Sequence, residues 1–113
     1  MSSAQFLRGS NTMRLPLSEQ ECKAIVASLA RSFRSLRRAP LLDGVGFDPM
    51  QLDAWASGLC LLEERLAAQF ILHVWDRFHP WKSGEFEPSH ALDSWSDHDR
   101  SSYLAWAAAP WWF

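Results

Sequence analysis

Three side chains invite a chemical reading first. His73, Asp76 and His79 lie within the stretch HVWDRFH, and His73 and Asp76 stand three residues apart, on one face if the segment is helical. Imidazole nitrogens and carboxylate oxygens are metal ligands, but a closed site needs four of them and an open one three. The chain supplies no HExxH motif and no second matched pair, and His90 and His98 fall in polar positions that suit helix starts. No metal is therefore expected. Paired acids are the next possibility: Glu63 with Glu64, and Asp97 with Asp99. General acid–base work needs one carboxyl raised by a pocket, whereas these pairs suit a solvated helix face and a helix start. The DGVG at 43–46 matches neither a dinucleotide fingerprint nor a phosphate loop, and no nucleophile elbow occurs. The expectation is a chain that is not an enzyme, with no catalytic residue and no cofactor.

Binding is better represented than chemistry. Arg31, Arg34, Arg37 and Arg38 crowd the stretch ARSFRSLRRAP. On a continuous helix Arg31, Arg34 and Arg38 form one stripe with Arg37 beside it, the geometry of a phosphate-contacting strip. Charge is unevenly spread along the chain. Residues 1–38 carry seven basic and two acidic side chains; residues 39–113 carry four basic and eleven acidic ones, and the whole balances at −2. Such polarity suits the steering of a charged partner, and the acidic C-terminal two-thirds weighs against a nucleic-acid ligand for the whole molecule.

Aromatic residues are the second binding signal. Six of the seven tryptophans, from Trp75 to Trp112, crowd the C-terminal part, and the chain closes on PWWF. Trp75, Trp95 and Trp106 fit helical apolar patterns and are assigned to the core. Trp81, Trp111, Trp112 and Phe113 fall in a connector or beyond Pro110, so they are the interface candidates, because tryptophan supplies large contact area at low entropic cost. The other reading of Trp111, Trp112 and Phe113, favoured because exposed apolar patches are rare in monomers, packs them back over the long helix near Trp75 and Phe78. The neighbouring acids Glu85, Glu87, Asp97 and Asp99 complete the expected partner-binding set.

These residues must be positioned by helices. SEQE at 18–21 is a capping box, and Cys22, Ile25, Val26, Leu29, Phe33 and Leu36 follow at helical spacing, predicting a helix over 18–38 that Pro40 ends. Leu41, Leu42, Val45 and Phe47 are expected to pin the connector that follows. Asp48-Pro49 starts a second helix whose periodicity runs over 49–78, through Leu52, Trp55, Leu59, Leu62 and Leu66, then Ile71, Leu72, Trp75 and Phe78. Gly58 is its weak point. An apolar surface on more than one side of so long a helix asks for several neighbours or for a homodimer. A shorter pair is expected at 88–95 and 97–108, the second capped by Ser96. The fold class is thus all-α: a small helical bundle with a flexible N-terminal arm at 1–12 and a single helical domain at 13–113.

Composition agrees with a globular, membrane-free chain. It is 48% hydrophobic with few enough charges to bury a core. No apolar run reaches the 18 residues of a membrane span, and the first twelve residues lack a signal-peptide core. Cys22 and Cys60 fit no zinc spacing, so free thiols in a reducing, cytoplasmic setting are expected.

Residues 92–107, LDSWSDHDRSSYLAWA, resemble a motif of small helical proteins from phages and integrative elements, through Trp95, Arg100, Tyr103 and Ala107. The same stretch is similar to the second helix of HMG boxes, but with the Leu and Trp roles exchanged and without a basic surface. Size, charge polarity and missing catalytic motifs resemble phage or plasmid accessory proteins, among them the anti-CRISPR inhibitors. That resemblance implies a stoichiometric inhibitor or adaptor that occupies a surface of a larger, nucleic-acid-handling protein complex. It transfers no functional residue. The alternative is a nucleic-acid-binding helical module using Arg31, Arg34, Arg37 and Arg38.

Overall fold

Ser18 opens the first helix as its sequence requires. In the computed structural model, which describes residues 17–41 and 47–113, the Ser18 hydroxyl accepts from the Glu21 amide at 3.0 Å and the Glu21 carboxylate accepts from the Ser18 amide at 2.8 Å. Helix α1 then spans Glu19–Arg31 and stops short of the expected residue 38. Ser32 contributes to the stop, its hydroxyl donating back to the Leu29 carbonyl at 2.6 Å, a bond that competes with helix continuation. Asp99 and Ser102, far along the chain, supply partners for the backbone released there. Phe33 is extended, and a single 3-10 turn follows at Arg34–Leu36. Phe33 and Leu36 are still buried, so the apolar pattern was right about burial and wrong about the shape that delivers it.

The expected helix over 49–78 is two helices. Asp48 caps α2, Pro49–Ser57, by accepting from the Met50 and Gln51 amides at 3.1 and 3.3 Å. Gly58 leaves the helix in an extended conformation, and α3 begins at Leu62 and runs to Trp75. The carbonyls left open at the end of α2 are taken by an arginine from the fourth position of α3: Arg65 donates to Ala56 at 3.1 Å and to Gly58 at 3.4 Å. The break moves Leu59 and Leu62 out of the predicted core stripe and into solvent. Within one chain, α3 is covered by α1, α2, the 3-10 turn and α4, and Leu66, Phe70, Ile71, Leu72 and Val74 are buried there.

A connector leads from α3 to α4, Pro88–Ser94, and then to α5, Asp97–Ala107. Asp53 of α2 holds the connector, accepting from the Lys82 amide at 3.0 Å and the Ser83 amide at 2.9 Å. The α4–α5 junction repeats the device seen at Arg65. Arg100, fourth in α5, donates to the Trp95 carbonyl at 2.7 Å and the Leu92 carbonyl at 3.2 Å. Phe70 is the hub on which the C-terminal half docks, with Phe86 and Tyr103 centred 5.2 Å away and Trp106 at 5.0 Å. Trp95 packs on Phe33 at 5.2 Å. The described residues are all-helical, with no strand among them, and none of their helices is long and apolar enough to cross a membrane. The expected arm at 1–12, and Leu42 and Val45 of the connector, lie outside the described residues.

Candidate functional site

The C-terminal PWWF folds back on its own chain. The Phe113 amide donates to the Val74 carbonyl at 3.1 Å, and the Trp111 carbonyl accepts from the Trp106 indole at 3.0 Å. Phe113 packs on Trp75 at 6.2 Å, and Trp112 meets the edge of Trp106 at 5.2 Å. These anchors leave much of the aromatic surface in water: Trp112 is 38% exposed and Phe113 41%. Trp111 is half-buried.

One residue beyond the predicted set organises this face. The Arg77 guanidinium lies 4.9 Å from the Trp112 ring centre and 5.1 Å from that of Phe78, within cation–π range of both. Phe78, assigned by periodicity to the core stripe, is 85% exposed. The reason is geometric: α3 ends at Trp75, so the helical register that would have turned Phe78 inward has already been lost. Asp76 fixes the exit, its carboxylate accepting from the Phe78 amide at 3.1 Å and its carbonyl from the Trp81 indole at 3.0 Å. Trp81 is thereby half-buried against His79, with ring centres 4.1 Å apart.

Beside this patch, between the end of α3 and the connector, is a cleft of about 450 Å³. His73, Arg77, His79 and Glu85 line it together with Phe78, Trp81 and Phe86. His73 is half-buried; burial, and then the Arg77 charge, push its imidazole below the usual value, against a weaker pull from Glu85. His73, Asp76 and His79 do not form a ligand set, because Asp76 is occupied with backbone and His79 leaves the helix. Among the described residues no group of three His, Cys, Asp or Glu side chains is placed to hold a metal ion.

The acidic candidates divide. Glu85 and Glu87 are exposed in the connector, and Asp97 is exposed and ion-paired with Arg100. Asp99 is only 1% exposed and leaves the partner-binding set. Its carboxylate accepts from the Arg34 and Ser35 amides and from the Ser35 hydroxyl. Asp53 and Glu64 are buried in the same way, so part of the acidic balance of residues 39–113 serves the interior.

The basic strip is also divided. Arg31 ends α1, while Arg34 and Arg37 sit on and after the 3-10 turn, so the helical stripe does not form. Arg38 is bound to Glu64, at 3.0 Å through Nε and 2.6 Å through Nη2. Arg34, Arg37 and Arg38 do line one shallow cleft, but they share it with Glu63, Glu64 and Asp99. Carboxylates in that wall oppose a phosphate backbone.

No known protein family, curated protein or solved structure matches this chain. The site therefore has to be read from its own geometry, and that geometry favours the face around Arg77. On this face and the cleft beside it, Trp81, Trp112, Phe113 and Glu85 are among the sequence candidates, and Arg77, Phe78 and Phe86 are not. Pro80 stops a helix at His79 at the latest, and no local signal placed the end of α3 as early as Trp75.

Proposed function

We propose that this protein is a non-catalytic binder that attaches stoichiometrically to a larger protein through the face formed by Arg77, Phe78, Trp112 and Phe113. The observation that carries this is the exposed Arg77 guanidinium held against two aromatic rings, both themselves open to solvent. Arginine and tryptophan dominate binding hot spots, and exposed aromatic patches mark interaction sites on soluble proteins. The tail is held in place by its backbone bonds to Val74 and Trp106, so little ordering entropy remains to be lost on binding.

In its most concrete form the proposal is an anti-CRISPR-like inhibitor or adaptor from a phage or other mobile element, blocking a nucleic-acid-handling complex. The exposed Glu85 and Glu87 suit the basic surface of such a target. The two free thiols, Cys22 and Cys60, suit a reducing cytoplasmic compartment. The test is to identify the partner from the native host and reconstitute the complex from purified components. A defined-stoichiometry complex that the Phe78→Ala, Trp112→Ala double variant fails to form is expected. A complex indifferent to both substitutions overturns the proposed face. The nucleic-acid alternative retains only Arg34 and Arg37 as unengaged cations of the shallow cleft, and a low-salt mobility shift that is absent removes it.

A further inference from the structure

We propose that the cleft between the C-terminal end of α3 and the connector is a binding site for an aromatic carboxylate, with Arg77, His73 and His79 taking the carboxylate and Phe78, Trp81 and Phe86 the ring. The lining supports both halves of that ligand. Three basic side chains meet one carboxylate, Glu85, around a cavity of about 450 Å³, a volume in the range of small-molecule sites. Among the described residues, no hydrogen bond engages the imidazoles of His73 or His79 or the guanidinium of Arg77, which contacts the Phe78 and Trp112 rings and acts on His73 through its charge. Of the other polar groups of the wall, Glu85 is exposed and two are engaged. Gln69 donates to the Ser83 carbonyl at 2.5 Å, and the Trp81 indole donates to Asp76. Unengaged donors beside apolar rings are what a carboxylate on an aromatic body requires, and a charge-assisted bond to an arginine is among the stronger polar contacts.

A pH dependence follows. The charged groups facing His73 are Arg77, just past the end of α3, and Glu85 from the connector. His79 lines the same cleft, and the far side of His73 meets Phe86, Pro88, Tyr103, Trp106 and Trp112. A carboxylate placed beside His73 favours its protonated form, so binding takes up a proton. Affinity therefore rises as the pH falls below neutrality, until the ligand carboxylate is itself protonated at about 4.3.

The site shares Arg77 and Phe78 with the proposed protein-binding face, but its test needs no partner: binding of a small acid to purified protein can fail while the protein complex still forms, and the reverse. Phenylacetate and phenylacetamide are titrated into the full chain at pH 6 and constant ionic strength, following the histidine ring signals by NMR. Saturable shifts of the His73 and His79 signals with phenylacetate are expected, with at least about tenfold weaker binding of the amide and of phenylacetate to Arg77→Gln. Arg77 is exposed, so that variant keeps its fold, which circular dichroism verifies; His79→Gln, also exposed, is the second variant. Equal shifts with acid and amide, no shift with either, or full affinity in Arg77→Gln overturns the proposal. A peptide ending in a free phenylalanine carboxylate, compared with its amide, is the second arm. Stronger binding of that peptide than of phenylacetate assigns the site to a chain terminus; the reverse assigns it to a free small acid.

Discussion

Asp99 and Arg34 lie far apart in sequence and meet through a side chain and a backbone amide: the Asp99 carboxylate accepts from the Arg34 N–H at 2.8 Å. The adjoining Ser35 amide donates to the other carboxylate oxygen at 3.1 Å. One turn along α5, the Ser102 hydroxyl donates to the Ser32 carbonyl at 2.9 Å, and the His98 ring is 3.0 Å from the same oxygen. The break after α1 is thus provided with partners by α5. The chain gives up its helical bonds at Ser32 because a distant helix supplies replacements.

Replacing Asp99 by alanine is expected to cost about 2–3 kcal/mol, because two part-buried backbone amides and the Ser35 hydroxyl lose their acceptor together. Asp99→Asn retains one acceptor oxygen and is expected to cost about half as much. Urea denaturation of both variants checks the order. Equal stability of Asp99→Ala and the parent chain would contradict the assignment of Asp99 to the interior.

This contact also explains what the sequence left illegible. Capping boxes and prolines are local signals, and they marked the starts of α1, α2 and α5 at Ser18, Asp48 and Ser96. Helix ends at Arg31 and Ser57 are different. They depend on Asp99, Ser102 and Arg65, partners that no local window contains, so apolar periodicity ran straight through them. The same blindness affected the site. Trp112 and Phe113 stood out by composition, but the exposure of Phe78 depends on α3 ending at Trp75. Asp99 was read as surface charge because burial of a carboxylate depends on donors that only the fold brings to it.

Glycine substitutions separate two kinds of turn. Gly84 has φ of +101°, and an added Cβ would lie 3.1 Å from the Gln69 amide nitrogen. Gly84→Ala is expected to destabilise by about 1–2 kcal/mol. At Gly58 an added Cβ meets its nearest neighbours at 3.5 and 3.8 Å, ordinary contact distances. Gly58→Ala is therefore expected to cost less than about 1 kcal/mol. Thermal or urea unfolding of the two variants measures the difference, and the reverse order would contradict the described turn geometry.

Acid should weaken the fold in two stages. His73 has its pKa lowered by burial and then by Arg77, so the unfolded chain takes a proton that the folded chain resists. Stability is lost as the pH falls from about 6.5 through the folded value, because the unfolded state binds more protons there. For Glu64, burial pushes the carboxyl up, but the Leu61 amide, the Arg38 hydrogen bond and the Arg38 and Arg37 charges together hold it below the ordinary value. Its contribution is present above about 4.5 and is lost as the pH falls through the lower folded value. Urea midpoints measured from pH 8 to pH 3 should decline over both ranges. His73→Gln should flatten the upper one, and Glu64→Gln should lower stability at pH 7 by about 1–2 kcal/mol while flattening the lower one.

The aromatic face makes the sharpest separation between folding and binding. Phe78 is exposed and its side chain lies outside the buried core, so Phe78→Ala is expected to change stability by less than about 0.5 kcal/mol. Trp112→Ala loses the Trp106 edge contact and the Arg77 contact and is expected to cost about 1–2 kcal/mol. Phe70→Ala, at the centre of the aromatic core, should cost about 3–5 kcal/mol. If the face binds a protein, the loss of partner affinity should follow a different order, with Phe78→Ala weakening the complex by at least about tenfold despite its intact stability. Calorimetric titration of the reconstituted complex, set beside urea unfolding of the same variants, gives both orders. Affinity losses that merely track stability losses would place the interaction elsewhere on the molecule.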